Sequence, residues 1–304
     1  MKPVRMPAVS LAAVPGRRRK TLDLARQVEE LGFSGLYCPS LGDSLALCQG
    51  IAMVTETIPF GTSITPIYTR HVADFAASAS FIHEISGGRF RFGIGVSHGP
   101  VHERLGIKPG RPLSDIRDFV SELESTEGVG ELPPVVLATL RDKMTGLAGE
   151  IGDGAVWANG SRSHMSHSLG LIAEAKREDE AFFIGDMIPT CIHDDVERAA
   201  AVNRRTLSRY ATLPNYRNYW KAAGYVTEME GVEEAMADRD FASIPKHLSD
   251  RWLEDCTLFG PAEKVLEGLE AWFDSGIKTP ILVPSSAEGG QLKAFDELFQ
   301  TFSQ

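Results

Sequence analysis

The segment from Phe60 to His98 constrains the fold of this chain more than any other stretch. It reads FGTSITPIYTRHVADFAASASFIHEISGGRFRFGIGVSH. An apolar strand ends in Ser-Ile-Thr-Pro, a helix of small and apolar residues follows, and a Ser-Gly-Gly turn opens a second strand. The pattern predicts one strand–helix–strand unit. Ligands bind at the carboxyl ends of strands in parallel α/β proteins, so both strand ends are candidate sites.

Strand and helix patterns alternate along the rest of the chain. Strands are predicted at Ala8–Val14, Gly35–Pro39, Ile58–Ile64, Phe90–Gly95, Pro134–Ala138, Ala155–Ala158, within Phe182–Cys191 and at Pro280–Pro284. Helices are predicted at Thr21–Leu31, Leu45–Val54, Pro112–Leu123, Asp142–Gly149, His164–Lys176 and near the C-terminus. Eight strands, most followed by helices, favour an α/β fold with a closed (β/α)8 TIM barrel over an open sheet.

One region departs from the strand–helix alternation. Residues 195–260 read as helical, and we interpret them as an insertion before the last strand. No linker rich in Gly, Ser or Pro separates this region from the rest. The sequence therefore predicts a single domain spanning residues 1–304.

Composition excludes several classes of partner. The formal net charge is -10, and no basic face interleaved with aromatic residues is visible, which argues against nucleic acid. No apolar run is long enough to span a membrane, and the N-terminus lacks a signal-peptide pattern, so we expect a cytoplasmic protein. The cysteines show no zinc-ligand spacing, so we expect reduced, mostly core residues and no metal site: Cys38, Cys48, Cys191 and Cys256.

Four motifs in series carry a family resemblance. They are GTSITP, SGGRFRFGIGVSH, LAGEIGDGAVWANG (147–160) and LFGPAEKVLEGLEAWFDSGIKTPIL (258–282). Together they resemble the bacterial luciferase-like superfamily, and most of all its actinobacterial coenzyme F420-dependent oxidoreductases. The resemblance implies a TIM barrel that holds a deazaflavin (F420) or a flavin (FMN) at its carboxyl face. It also implies a small-molecule substrate and a homodimer.

The resemblance further implies which residues contact the cofactor ring. It places a non-prolyl cis peptide at Ser63–Ile64, behind the tricyclic ring. The other implied cofactor-binding residues near the ring are Thr65, Gly95, Val96, Ser97 and Ala158. Taken alone, the Gly-x-Gly of strand four suits a tight turn at least as well as a ligand contact.

A phosphate site is expected after the fifth strand, where a helix begins. Helix N-termini bind phosphate through free N–H groups and the helix dipole. The predicted cofactor-binding residues of this segment are Thr139, Leu140, Arg141, Lys143 and Met144. Relatives often have Gly-Gly or Gly-Pro where this chain has Leu140-Arg141. Arg141 offers a direct phosphate contact, and the alternative is a surface ion pair with Asp142 or Glu150.

His98 is the predicted catalytic residue. In similar sugar-phosphate dehydrogenases a catalytic Glu occupies this position, and a histidine moves protons near neutral pH. The alternative is a loop residue with local hydrogen bonds. Those relatives also carry an Asp-His pair after strand two, whereas this chain has Ser40 and Leu41. His102, in a loop interrupted by Gly and Pro, is predicted to be a surface residue.

The predicted function is F420-dependent hydride transfer between the deazaflavin and an unidentified small organic substrate. Two alternatives remain open at this point. One is an FMN-dependent luciferase-like monooxygenase that uses molecular oxygen. The other is a non-catalytic protein that binds flavin or F420, which the missing Asp-His pair favours.

Overall fold

Strands and helices alternate along residues 5–303, the part of the chain that the computed structural model describes. The strands are β1 (Ala8–Ser10), β2 (Gly35–Cys38), β3 (Phe60–Thr62), β4 (Thr65–Pro66), β5 (Phe90–Gly95), β6 (Val135–Ala138), β7 (Gly154–Ala158), β8 (Phe183–Ile192), β9 (Leu258–Gly260) and β10 (Thr279–Ser285).

The helices follow the strands. They are α1 (Arg18–Glu30), α2 (Ser44–Val54), α3 (Val72–Ile85), α4 (Gly99–Leu105), α5 (Pro112–Glu124), α6 (Asp142–Ile151), α7 (Met165–Gly170), α8 (Glu174–Glu178), α9 (Val196–Ala211), α10 (Pro214–Ala222), α11 (Val226–Ala237), α12 (Ile244–His247), α13 (Asp250–Cys256), α14 (Ala262–Asp274) and α15 (Gln291–Phe302). The predicted (β/α)8 fold is confirmed, and α9–α13 form the predicted helical insertion before β10.

The described chain divides into two compact units. The N-terminal unit comprises residues 6–156 and 171–184, and the C-terminal unit comprises Arg5 and residues 157–170 and 185–303. In the N-terminal unit, parallel pairs join β1 to β2, β2 to β3, β3 to β5, β5 to β6 and β6 to β7. In the C-terminal unit, β8 pairs in parallel with both β9 and β10. The single-domain interpretation stays a prediction.

An aromatic cluster holds β5 in the N-terminal unit. The ring of Phe75 on α3 lies 5.8 Å from Phe92 on β5 and 5.6 Å from Phe119 on α5. All three side chains are buried. Burying a phenylalanine contributes about 1.5–3 kcal/mol, so this cluster docks α3 and α5 firmly against β5. β5 is thereby fixed at Phe92, before its carboxyl end.

A second cluster anchors the insertion within the C-terminal unit. The rings of Trp220 and Trp252 meet edge to face at 4.8 Å, and the Trp220 indole N–H donates to the Asn159 carbonyl at 3.2 Å. The Ser161 amide donates to the Tyr219 hydroxyl oxygen at 3.0 Å. These bonds tie α10 to the segment that follows β7. Asp186 of β8 is fully buried beside this segment, and its Oδ1 accepts from the Gly160 amide at 3.4 Å.

Two expectations about secondary structure are wrong. The helix predicted at His164–Lys176 is broken into α7 and α8, because Ile172 between them is buried and packs beside Gly149. The range predicted as entirely helical also ends in the strand β9. Leu258 and Phe259 are buried there while the backbone pairs with β8, so tertiary pairing outweighs the local helical pattern.

All four cysteines are buried, which confirms their predicted core or near-core location, and none forms a disulfide: Cys38, Cys48, Cys191 and Cys256. Among the described residues, no helix is both long and apolar enough to cross a membrane.

Candidate active site

The carboxyl end of β3 turns sharply beside β5. The Ser63–Ile64 peptide bond is cis, at the bond where the family resemblance places it. The Thr62 hydroxyl donates to the Gly93 carbonyl at 2.6 Å, and the Thr65 hydroxyl lies 2.8 Å from that of Ser44. Thr65 then pairs with Ile94 in the β4–β5 ladder. The segment is therefore held in one place against β5.

Two glycines of β5 allow this close approach. A Cβ on Gly95 would lie 2.9 Å from both the Ala138 Cβ and the Ile64 Cδ1. A Cβ on Gly93 would overlap the Thr62 carbonyl oxygen, which is backbone and cannot swing away. Glycine is needed here for space, since neither residue has a positive φ.

Replacing Gly93 with alanine is expected to lower the free energy of unfolding by about 3 kcal/mol, because the β3 and β5 backbones must separate. Urea denaturation monitored by circular dichroism measures the free energy of unfolding of the variant and of wild type. Gly146→Ala on α6 is the matched control, since a Cβ there meets no atom within 4 Å and alanine favours a helix. Equal stability of the two variants would contradict this account of Gly93.

His98 lies just beyond β5, where the chain enters α4. Ser97 before it has φ of 62°, a left-handed conformation that is uncommon for a residue other than glycine. His98 is half-buried and forms the N-cap of α4. Burial, and to a lesser degree the charge of His102, lower its pKa below the ordinary histidine value. Its imidazole is therefore neutral at pH 7 and can accept a proton.

The prediction for His102 is wrong. Residues 99–105 form α4, with Pro100 in the first turn and Gly106 in the left-handed conformation at the end. His102 is half-buried on this helix, and its Nε2 lies 2.5 Å from the Val96 carbonyl oxygen. The predicted loop conceals this contact, and its one sequence signal is the four-residue spacing from His98.

The segment after β6 has the features expected of an anion site. The Thr139 hydroxyl is buried without a hydrogen-bond partner, while the Thr139 amide donates to the Val156 carbonyl at 2.8 Å. Arg141 is the N-cap of α6 and supplies no side-chain cap, while its carbonyl oxygen accepts from the Met144 and Thr145 amides at 3.0 and 3.1 Å. Arg141 and Lys143 are exposed, and Leu140 and Met144 are half-buried.

Glu150, one alternative partner predicted for Arg141, pairs with another arginine. The Glu150 carboxylate is already bound in a bidentate pair with Arg117, at 2.9 and 2.8 Å. Asp142 contributes one negative charge to the first turn of α6, against the two positive charges of Arg141 and Lys143. The balance at this helix end is therefore positive.

The strand ends in the N-terminal unit bring most of the predicted residues to one edge of the sheet. β3, β5 and β6 are neighbours, so Ser63–Thr65, Gly95–His98 and Thr139–Met144 follow adjacent carboxyl ends. Ala158 ends β7 and belongs to the C-terminal unit. No cluster of three or more metal-ligating side chains is found in residues 5–303.

The end of β2 carries no free acid or base. The Asp43 Oδ1 accepts from the Ala46 amide and caps α2, while its Oδ2 lies 2.6 Å from Arg70. Leu41 is 65% exposed and cannot transfer a proton. Asp43 is thus occupied by a structural role.

The sequence of this chain is similar to a known family and to several reductases. The model of the luciferase-like monooxygenase family matches residues 7–279. The chain is 26% identical over 259 residues to a 5,10-methylenetetrahydromethanopterin reductase of Archaeoglobus fulgidus, covering 75% of this chain and 77% of the reductase. A match to the reductase of Methanolobus tindarius covers 45% of this chain and 49% of that protein.

Solved structures share the fold. The coenzyme F420-dependent tetrahydromethanopterin reductase from Methanopyrus kandleri has a TM-score of 0.77 at 16% identity, with 98% of each chain covered. The FMN-bound oxygenating component of 3,6-diketocamphane monooxygenase from Pseudomonas putida has a TM-score of 0.61 at 16% identity, covering 98% of this chain and 96% of that one.

Proposed function

Because this chain belongs to the luciferase-like monooxygenase family, we propose that it is an F420-dependent oxidoreductase acting on a small organic substrate. The bound deazaflavin would supply the hydride chemistry, and the protein would supply binding, orientation and proton transfer. Relatives and fold neighbours named as F420-dependent or methanopterin reductases support F420. The observation that carries the proposal is the unpartnered, buried Thr139 hydroxyl after β6, followed by the exposed Arg141 at the start of α6.

We assign the residues to three roles. The backbone and side chains at Ser63–Thr65 and Gly95–Ser97 would contact the cofactor ring, and the assignment of Ala158 stays a prediction of the family resemblance. Thr139–Met144 would hold the cofactor phosphate through the Thr139 hydroxyl, the positive end of the α6 dipole and Arg141. His98 would take or give the proton that accompanies hydride transfer.

Replacing Arg141 with alanine is expected to weaken F420 binding by about 1.5–3 kcal/mol, because a hydrogen bond to a charged phosphate is lost. Quenching of F420 fluorescence during titration measures the dissociation constant. Arg117→Ala is the control, since Arg117 is also exposed but its guanidinium binds Glu150. Unchanged F420 and FMN affinity in the Arg141 variant would sink its assignment to the phosphate.

An FMN-dependent monooxygenase is the second candidate, favoured by the FMN-bound fold neighbour. FMN carries a phosphate that the same helix end would hold. Parallel titrations with F420 and FMN, each in the oxidised and reduced forms, decide between them. Tighter binding of FMN together with oxygen consumption would replace the F420 proposal.

The homodimer and the cytoplasmic location stay predictions. Size-exclusion chromatography with light scattering would test the homodimer, and cell fractionation would test the location.

A further inference from the structure

We infer that His102 is a positioning residue: its imidazole fixes the Val96–Ser97 peptide against the cofactor, and Tyr68 and Asp115 hold that imidazole in place. The inference rests on the function proposed above, because Val96 and Ser97 are its assigned ring contacts.

His102 ties α4 back to the strand that precedes it. No residue of α4 is buried, so the helix has little apolar packing to hold it. The hydrogen bond from His102 Nε2 to the Val96 carbonyl, at 2.5 Å, spans the intervening residues 97–101. A carbonyl oxygen can only accept, so Nε2 carries the hydrogen in this contact.

The bonded carbonyl belongs to a peptide that needs support. Val96 C=O and Ser97 N–H share one peptide plane, and Ser97 adopts the left-handed conformation. Such a conformation persists outside glycine only where neighbouring groups enforce it. The His102 bond fixes the orientation of this plane from the α4 side. The Ser97 Cα lies in this plane, so a change in the orientation of the plane would displace the Ser97 side chain.

Tyr68 and Asp115 fix the imidazole in turn. The Tyr68 ring meets His102 edge on, with centroids 5.5 Å apart and planes at 86°. The Tyr68 hydroxyl donates to Asp115 Oδ2 at 2.5 Å, and the same oxygen accepts from the Gly110 amide at 2.9 Å. Burial, followed by the Asp115 carboxylate, raises the pKa of Tyr68, so its hydroxyl stays a donor. A chain of contacts thus runs from Asp115 on α5 through Tyr68 to His102 on α4, and from His102 to the Val96 carbonyl.

The test compares two substitutions at position 102 by F420 titration. His102→Leu removes the donor and should weaken F420 binding about tenfold, the loss expected for one hydrogen bond. His102→Gln keeps an N–H donor on a side chain of similar reach, so its affinity should stay within about threefold of wild type. Tyr68→Phe keeps the ring contact and loses the Asp115 bond, and an intermediate loss is expected.

Hydrogen exchange of the ligand-free proteins supplies a readout that does not depend on the cofactor. His102→Leu should speed amide exchange in peptides covering residues 96–105, while His102→Gln should not. Glu103→Gln, an exposed neighbour on α4, is the matched control for both measurements.

The outcomes separate this inference from the proposed function. Tight F420 binding by wild type and by His102→Leu alike, or equal losses in the Leu and Gln variants, would overturn the positioning role and leave the proposed function standing. If wild type binds neither F420 nor FMN, the proposed function is wrong and the positioning role is overturned with it.

Discussion

Replacing His98 with glutamine is expected to lower the turnover of F420-linked hydride transfer by roughly 10²–10⁴-fold, the usual contribution of a general acid or base. The neutral, half-buried imidazole at the end of β5 is suited to accept a proton. The end of β2 cannot replace it, because Leu41 is apolar and the Asp43 carboxylate is bound to Arg70. F420 affinity should change little, since the variant keeps a polar side chain of similar size.

The measurement is the pH dependence of kcat and KM on a substrate found by screening small alcohols and carbonyl compounds. If His98 acts as a base, wild-type kcat/KM should fall on the acid side at a pH below the ordinary histidine pKa, and the variant should lose that limb. His247→Gln on α12 controls for loss of a half-buried histidine elsewhere. Wild-type turnover in the His98 variant would show that water or substrate supplies the proton. Tight cofactor binding without turnover on any substrate would instead favour the non-catalytic alternative.

Replacing Asp186 with asparagine is expected to change how the free energy of unfolding depends on pH. This carboxyl group is fully buried, and its Oδ2 has no hydrogen-bond partner. Burial raises its pKa to about 8, while hydrogen bonds from the Gly160 and Met187 amides oppose the rise. The folded protein therefore keeps Asp186 protonated at neutral pH, whereas the unfolded chain releases this proton near pH 4.

The raised pKa fixes the sign of the pH effect. The contribution of Asp186 to stability is complete below the unfolded pKa, near pH 4, and is lost progressively as the pH rises to about 8. The loss is on the order of 5 kcal/mol across that range, since each pKa unit corresponds to about 1.4 kcal/mol. Asp186→Asn removes the titrating group, so the free energy of unfolding of the variant should decline much less between pH 5 and pH 8.

Chemical denaturation of both proteins at a series of pH values measures this difference. Asp238→Asn, an exposed carboxyl at the end of α11, is the control and should leave the slope unchanged. Parallel curves for wild type and Asp186→Asn would mean that Asp186 titrates normally in the folded protein.

The strands were predictable where burial makes them apolar on both faces. β5 begins and ends at the predicted residues. Phe90, Phe92 and Ile94 are fully buried there, and such a run of buried apolar residues is typical of a parallel strand covered by helices. β9 was not predictable in this way. Its three residues pair with β8 only after the insertion has brought them back, which is a long-range contact that no local pattern encodes.

The candidate site divides in a similar manner. Residues within a motif, such as Ser63–Thr65 and Gly95–His98, could be proposed because their order along the chain mirrors their order along the sheet edge. His102, Tyr68 and Asp115 could not, because their roles depend on side chains that meet across different elements. The positions of these three residues in the sequence form no motif, whereas the two glycines of β5 do.

The buried thiols have a practical consequence for following α4 in solution. All four cysteines are buried, and burial raises the pKa of Cys48, Cys191 and Cys256, so little reactive thiolate is present near neutral pH. Maleimide reagents should therefore label the native protein slowly. In a Glu103→Cys variant, a maleimide fluorophore would therefore attach mainly to the introduced, exposed cysteine. The native cysteines would not have to be replaced first. The fluorescence of this one label would then report on the motion of α4.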